Sequence, residues 1–361
     1  MASVPRRHHY VTEAYLSGFL EPGTKQLCCY GRNHAMPFPA APSKLANIRD
    51  FHSLRRPDGT LDTSLETRIE KEVEGPGIPV LRLLAKGNIN ISSSQRNALA
   101  KLIALQSLRV PYEREFMDRQ NREIFLGYIN EMDEISRRLG IRVNELETAV
   151  SLTSRRMRSE EYSRISRAEI ETELRAIDQD PQRFSRENFI WLANDVARIF
   201  ARMEWTLCIA PGASRFITSD RPVISADKDG RPFMAGFARA ECEITFPLSH
   251  SALLKMRHPR KFLDKVRRRP NASKQRSKSA AEIAIKQLES AAVTELNHLQ
   301  SDQAHLWVFS GLHEVWISER MQNHAIGSKV VRVVSDRTFL SQDQPRNNGF
   351  TRERRFSIDI E

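Results

Sequence analysis

"WTLCIA", residues 205–210, is where the hydrophobic period of this chain changes. Up to Glu204 the apolar residues recur at helical spacing. From Trp205 they recur at every second position, as a strand with one buried face requires. "RFIT" (215–218), "CEITFPL" (242–248), "ALLKM" (252–256), "HLWVFS" (305–310) and "KVVRVVS" (329–335) read as further strands, with a helix over 280–300. The predicted fold is α+β: a helical middle block, about 62–203, packed with a mainly antiparallel sheet from the C-terminal third. Residues 1–310 are expected to form one domain, 311–341 a strand extension and 342–361 a flexible tail.

Upstream, "YVTEAYLSGFL" (10–20) sets Val11, Tyr15 and Phe19 at i, i+4 and i+8, a short helix. "QLCCYGR" (26–32) and "NIRDFHS" (47–53) are strand candidates, and "RRPDGT" (55–60) is a turn. An amphipathic helix runs from Asp62 to Val73, with a break expected at "EGPGIP" (74–79). "SSSQRNALAKLIALQSLRV" (92–110) begins at Ser caps and ends or kinks at Pro111. Helix resumes to Gly140, and two more helices are expected near 160–178 and 184–203.

Composition narrows the class. The chain has 361 residues, 28% charged and 40% hydrophobic, which suits a globular protein with a real core. No apolar run approaches the roughly 18–20 residues of a membrane span, and the N-terminus lacks the apolar stretch of a secretory signal. A cytosolic location without a membrane partner is expected. The four cysteines fit no zinc or redox spacing and read as buried thiols. A net charge of +11 favours an anionic partner, nucleic acid first, although an Arg-rich codon bias would give the same excess. P-loop, dinucleotide-binding, zincin and nucleophile-elbow motifs are absent.

The helix at 92–110 carries the first chemical signal. Leu99, Leu102, Ile103 and Val110 mark its apolar face, yet Gln106 falls inside that arc and Arg109 at its edge. A buried guanidinium needs a carboxylate or an anion, so Arg109 is either half of a structural ion pair or an anion-binding group. Glu66, Glu70 and Glu74 form an acidic row along the preceding helix, which a cation such as Arg109 or a metal ion would relieve. In "SRFITSDRPVIS" (214–225), Ser219 and Asp220 sit between two short apolar runs. They form either a plain turn or a site carboxylate aimed into a cleft. The stretch 261–278 is strongly basic, with Lys265, Arg267, Arg268, Arg269, Lys274 and Arg276 as candidate phosphate contacts. A solvated loop is the alternative there.

His9-Tyr10-Val11, "LETRIEKEVEG" (65–75), "ALQSLRVP" (104–111), "FITSDRPV" (216–223), "FPLS" (246–249) and "TELN" (294–297) occur in this order. As an ordered set they resemble a bacterial domain-of-unknown-function family, number 4238, whose hallmark is His-Tyr-Val-Pro; Thr12 stands here in place of the Pro. The resemblance implies no activity. It does imply that His9, Glu66, Glu74, Gln106, Arg109, Ser219 and Asp220 are one set of motif positions, expected to converge.

A His, several carboxylates and an Arg would serve hydrolysis of nucleic-acid phosphodiesters, assisted by a divalent metal such as Mg²⁺. The competing expectations are a non-catalytic nucleic-acid-binding module and an enzyme or toxin acting on a small anionic substrate.

Overall fold

The structure, a computed structural model, describes residues 6–55, 60–149, 162–227, 236–259 and 282–323. The fold is α+β, with several mostly antiparallel sheets. Along the chain come β1 (Arg7–His9), α1 (Glu13–Leu16), β2 (Leu27–Gly31), β3 (Phe38–Ala40), β4 (Asn47–Arg49), β5 (Leu54–Arg55) and β6 (Leu61–Asp62). Then follow α2 (Ser64–Ile69), α3 (Gly75–Ala85), α4 (Ser93–Leu108), α5 (Pro111–Leu139), β7 (Glu145–Ala149), β8 (Tyr162–Ser166), α6 (Arg167–Gln179) and α7 (Arg183–Arg202). The remaining elements are β9 (Glu204–Ile209), β10 (Thr218–Ser219), β11 (Ile224–Ala226), β12 (Glu243–Pro247), β13 (Ala252–Arg257) and β14 (Ala284–Gln287). The described chain ends with α8 (Ser290–Gln303), β15 (Trp307–Ser310) and α9 (Val315–Asn323).

Two compact units emerge. One takes the described residues up to Val110 and from Val196 onward; the other runs from Pro111 to Asp195. The first unit contains a sheet of order β11-β12-β13-β9-β14, antiparallel except where β14 runs parallel to β9. Its second sheet has the order β10-β15-β2-β3, and β1 pairs with β4 as a separate ribbon. Tyr15 stacks on Phe246 at 5.0 Å, and its hydroxyl meets Thr218 Oγ1 at 2.7 Å, so α1 is pinned beside β10. In the second unit Met132, Val143 and Ile170 form a small core, and the Asp118 carboxylate accepts both the N–H and the hydroxyl of Ser185.

Several expectations are corrected. Helix does not break at "EGPGIP". It widens to a π turn over Glu70–Glu74 and continues as α3. Pro76 lies in the first turn of α3 and Pro79 inside it, and Gly75 N–H reaches back to Glu70 O across the π turn. The helix expected over 10–20 is the four-residue α1 followed by a 3₁₀ turn at Ser17–Phe19. "NIRDFHS" is a strand only over Asn47–Arg49, and "RFIT" gives only the two-residue β10. A strand, β8, occupies the start of the helix expected near 160–178. Ser166 then opens α6 with a capping box to Glu169. The helix expected over 280–300 begins only at Ser290, after β14, and α9 follows β15 where no helix was expected. "KVVRVVS" and the tail lie outside the described residues.

α3 and α4 touch where Gly77 leaves room. A Cβ there would stand 2.8 Å from Leu102 Cβ and 3.3 Å from Ala98 O. Alanine ordinarily stabilises a helix by up to about 1 kcal/mol over glycine, but here neither neighbour is the free end of a flexible chain. Gly77→Ala is therefore expected to destabilise, by about 1–3 kcal/mol in urea unfolding. A gain in stability would show that the two helices are not in close contact.

Candidate functional site

β1 alternates its side chains, with His8 wholly buried and Arg7 and His9 on the opposite face. Past it, Thr12 caps α1 by accepting Tyr15 N–H at 3.0 Å, with φ −64°, which is the angle a proline would impose. Thr12 thus turns the chain as the hallmark proline would. Tyr10 and Val11 donate their N–H groups to Ala46 O. The His-Tyr-Val segment is in this way tied to the start of β4.

Arg109 closes α4 with 1% of its side chain exposed, and Nη1 donates to Glu74 Oε1 at 2.6 Å. Nε and Nη2 both donate to Gln106 Oε1, at 3.2 and 2.8 Å, and Gln106 Nε2 donates to Tyr10 O at 2.7 Å. The two polar residues on the apolar face of α4 therefore satisfy one another and the N-terminal segment. Glu74 reaches the pair from the last residue of the π turn, while Glu70 is left exposed.

Glu66, two turns earlier on α2, is less well served. Its Oε2 is buried and accepts no hydrogen bond among the described residues, and His52 Nε2 stands 3.9 Å away. Burial pushes the Glu66 carboxyl up to about 7. The charge of Arg109 opposes the shift, and those of Glu74 and Glu70 reinforce it. His9 moves the other way. Burial lowers its pKa, with Arg109 adding to the effect and the Ser43 carbonyl, Glu13 and Glu74 opposing it. Its Nε2 lies 3.3 Å from Ser43 O, an acceptor only, so Nε2 carries the proton and Nδ1 the lone pair of the neutral ring. The neighbouring ring, His8, accepts His52 N–H through Nδ1 at 2.9 Å and stacks on the His52 imidazole. His52 Nε2 also lies 3.5 Å from His9 O.

The structure thus brings together His9, Glu66, Glu74, Gln106 and Arg109. Ser219 and Asp220 belong to a different network. Asp220 Oδ1 accepts His305 N–H at 2.9 Å, and Oδ2 accepts those of Leu306 and Trp307 at 2.7 and 3.0 Å. Ser219 Oγ accepts Gln300 Nε2 at 2.6 Å and Arg221 N–H at 3.0 Å. "TSD" is accordingly a buried turn clamp between β10, α8 and β15, not a carboxylate aimed into a cleft. Tyr10 lies between the networks: burial raises its hydroxyl, and the charge of Asp220 adds to that.

Among the described residues no group of three or more His, Cys, Asp or Glu is disposed to hold a metal ion. Glu74 is committed to Arg109 and Glu70 is exposed, which leaves Glu66 as the member of the acidic row with a buried oxygen not hydrogen-bonded by another group among the described residues. Lys265, Arg267, Arg268, Arg269, Lys274 and Arg276 lie outside the described residues. The cysteines are free thiols, three buried and Cys28 half-buried. Among the described residues no helix is long and apolar enough to cross a membrane. His52 and Ser43 leave no periodic trace in the sequence, because they meet the site through long-range contacts; the Phe51-His52 dipeptide is the faint signal.

Two outcomes follow from this geometry. Arg109→Ala strands Glu74 and Gln106 and is expected to cost about 3 kcal/mol, whereas Glu74→Leu with Arg109→Leu removes both charges and should cost less. A loss below about 1 kcal/mol for the single variant would contradict the pairing. For Glu66 the folded state keeps its proton up to about pH 7, while the unfolded chain releases it near 4.5. The folded state binds more protons in that window, so stability falls as pH rises through it. Glu66→Gln should match wild type at pH 4 and exceed it at pH 8. The gain is about 1–2 kcal/mol once the partial exposure of the side chain is allowed for. Equal stabilities at pH 8 would show an ordinary carboxylate.

A family model described as "Protein of unknown function (DUF4238)" matches residues 7–314. No curated protein and no solved structure was found to match the chain. The match takes in the His-Tyr-Val segment, the acidic helix, the Gln106–Arg109 helix end and the "TSD" clamp. The chain belongs to the DUF4238 family.

Proposed function

We propose that this chain hydrolyses phosphodiester bonds in nucleic acid by general acid–base catalysis at His9 and Glu66. The observation that carries the reading is the pair of opposed shifts on groups flanking one buried ion pair, His9 lowered and Glu66 raised to about 7. Near neutrality the imidazole is then largely unprotonated and the carboxyl about half protonated, the division of labour that acid–base chemistry needs. His9 Nδ1 takes a proton from water as its oxygen bonds to phosphorus. The P–O bond to the sugar breaks, and Glu66 protonates the departing oxygen. A proton passed back through solvent from His9 to Glu66 resets the site. Arg109 touches no substrate here; it holds Glu74 and Gln106 and sets the field in which both groups titrate.

A non-catalytic nucleic-acid-binding module is the second reading, favoured by Arg109 and Asp220 being saturated by the protein's own groups. Cleavage of mixed DNA and RNA, followed with and without chelator across pH, separates the two. The expected profile is a bell, its alkaline limb near 7 where Glu66 deprotonates and its acid limb below 6.5 where His9 gains a proton. Glu66→Gln should lower kcat by about 10²–10⁴ and abolish the alkaline limb. Binding without cleavage by wild type would leave the binding module.

A further inference from the structure

The outward face of the β1–β4 ribbon carries a charge pattern that the acid–base site does not use. Register places Arg49 directly across from Arg7, and Asn47 directly across from His9. Arg7 and Arg49 are both exposed, Arg49 with 68% of its side chain open. Like charges directly opposite one another on a ladder repel, so the pairing is unfavourable until an anion lies between them. Asp50 offsets only part of this charge. It accepts both Nε and Nη2 of Arg6 and stands 3.6 Å from Arg49 Nε, which leaves three guanidinium groups against one carboxylate. Lys44, also exposed, sits beside the Ser43 carbonyl that holds His9.

The backbone of the ribbon is itself unusual. β4 is bounded by Ala46 and Asp50, with φ of 47° and 56°, a left-handed conformation that alanine in particular seldom adopts. Strain of this kind collects at binding segments and has to be held by the surrounding structure. Here the holding bonds are Tyr10 N–H and Val11 N–H to Ala46 O, and Asp50 N–H to Arg6 O.

We propose that this face is a phosphate track for single-stranded nucleic acid, running past Arg49 and Arg7 to His9. Side chains on one face repeat about every 6.8 Å along a strand, and each guanidinium fork can take two oxygens of one phosphate. The track names the polymer that the acid–base site acts on and rests on that reading for the reaction, but strand binding is independent of it.

The test measures the anisotropy of a labelled 20-nucleotide oligothymidylate with the full chain carrying Glu66→Gln, over a salt series. Each phosphate contact on a single strand contributes a slope of about 0.7 in log affinity against log salt. Arg7→Ala with Arg49→Ala should flatten the slope by about 1.4 and weaken binding roughly 25-fold at 0.1 M salt. Asp50→Asn has the opposite expected sign. Asparagine tolerates the left-handed conformation, and the freed Arg6 should steepen the slope by about 0.7 and tighten binding roughly fivefold. Arg82→Ala with Arg175→Ala, a charge-matched change at exposed positions elsewhere, should alter neither.

No binding at low salt would overturn the track. So would an unchanged slope in the Arg7/Arg49 or Asp50 variant, or an equal loss in the Arg82/Arg175 control. Intact, ribbon-dependent binding by a wild-type chain that cleaves nothing would instead retire the acid–base reading and leave the track standing.

Discussion

Burying a guanidinium requires a fixed partner, and the one at Arg109 organises the first unit of this protein. With 1% of its side chain exposed, Arg109 has to find its hydrogen bonds inside, and it finds them on Glu74 and Gln106. Gln106 passes the constraint on to Tyr10 O, and the Tyr10 and Val11 N–H groups pass it to Ala46. Four separate stretches of chain are thereby held in register: the end of α4, the π turn, the N-terminal segment and the approach to β4. The π turn belongs to the same arrangement, because Glu74 delivers its carboxylate from that turn's last residue.

The protein buries acids in two ways, and the contrast points to where chemistry can occur. Asp220 is buried with three backbone N–H donors, which tie β10 to the start of β15 and oppose the upward push of burial on its carboxyl. Among the described residues Glu66 has no such donors on its buried oxygen, and the nearby cation is already bonded to Glu74. One Arg cannot satisfy two acids equally. Bonded to Arg109, Glu74 stays in the pair, and Glu66 keeps its proton to about pH 7. An acid left titrating near neutrality beside an imidazole is a poor structural device and a good proton carrier.

Much of this was legible in the sequence for a physical reason. Gln106 and Arg109 broke the apolar stripe of a strongly periodic helix, and a break in a periodic pattern is visible without a structure. The acidic row opposite them, the Ser92 cap and the change of period at Trp205 were visible in the same way. The π turn was hidden because glycine and proline read as helix breakers unless the turn that accommodates them is known. The sequence left Asp220 open between a turn and a site carboxylate because its partners are backbone N–H groups, which every residue has and no residue type announces. His52 and the Ser43 carbonyl meet the site through long-range contacts that leave no periodic trace. β10 is too short, at two residues, for alternation to register.

The most direct measurement is the titration of the Glu66 carboxyl itself, by ¹³C NMR of the protein labelled at glutamate side chains and assigned by loss of the resonance in Glu66→Gln. A midpoint near 7, moving with the charge state of Arg109 and Glu74 in their variants, is expected. A midpoint near 4.5 would mean that the carboxylate is solvated and ionised at neutral pH, and the acid–base site would fall with it.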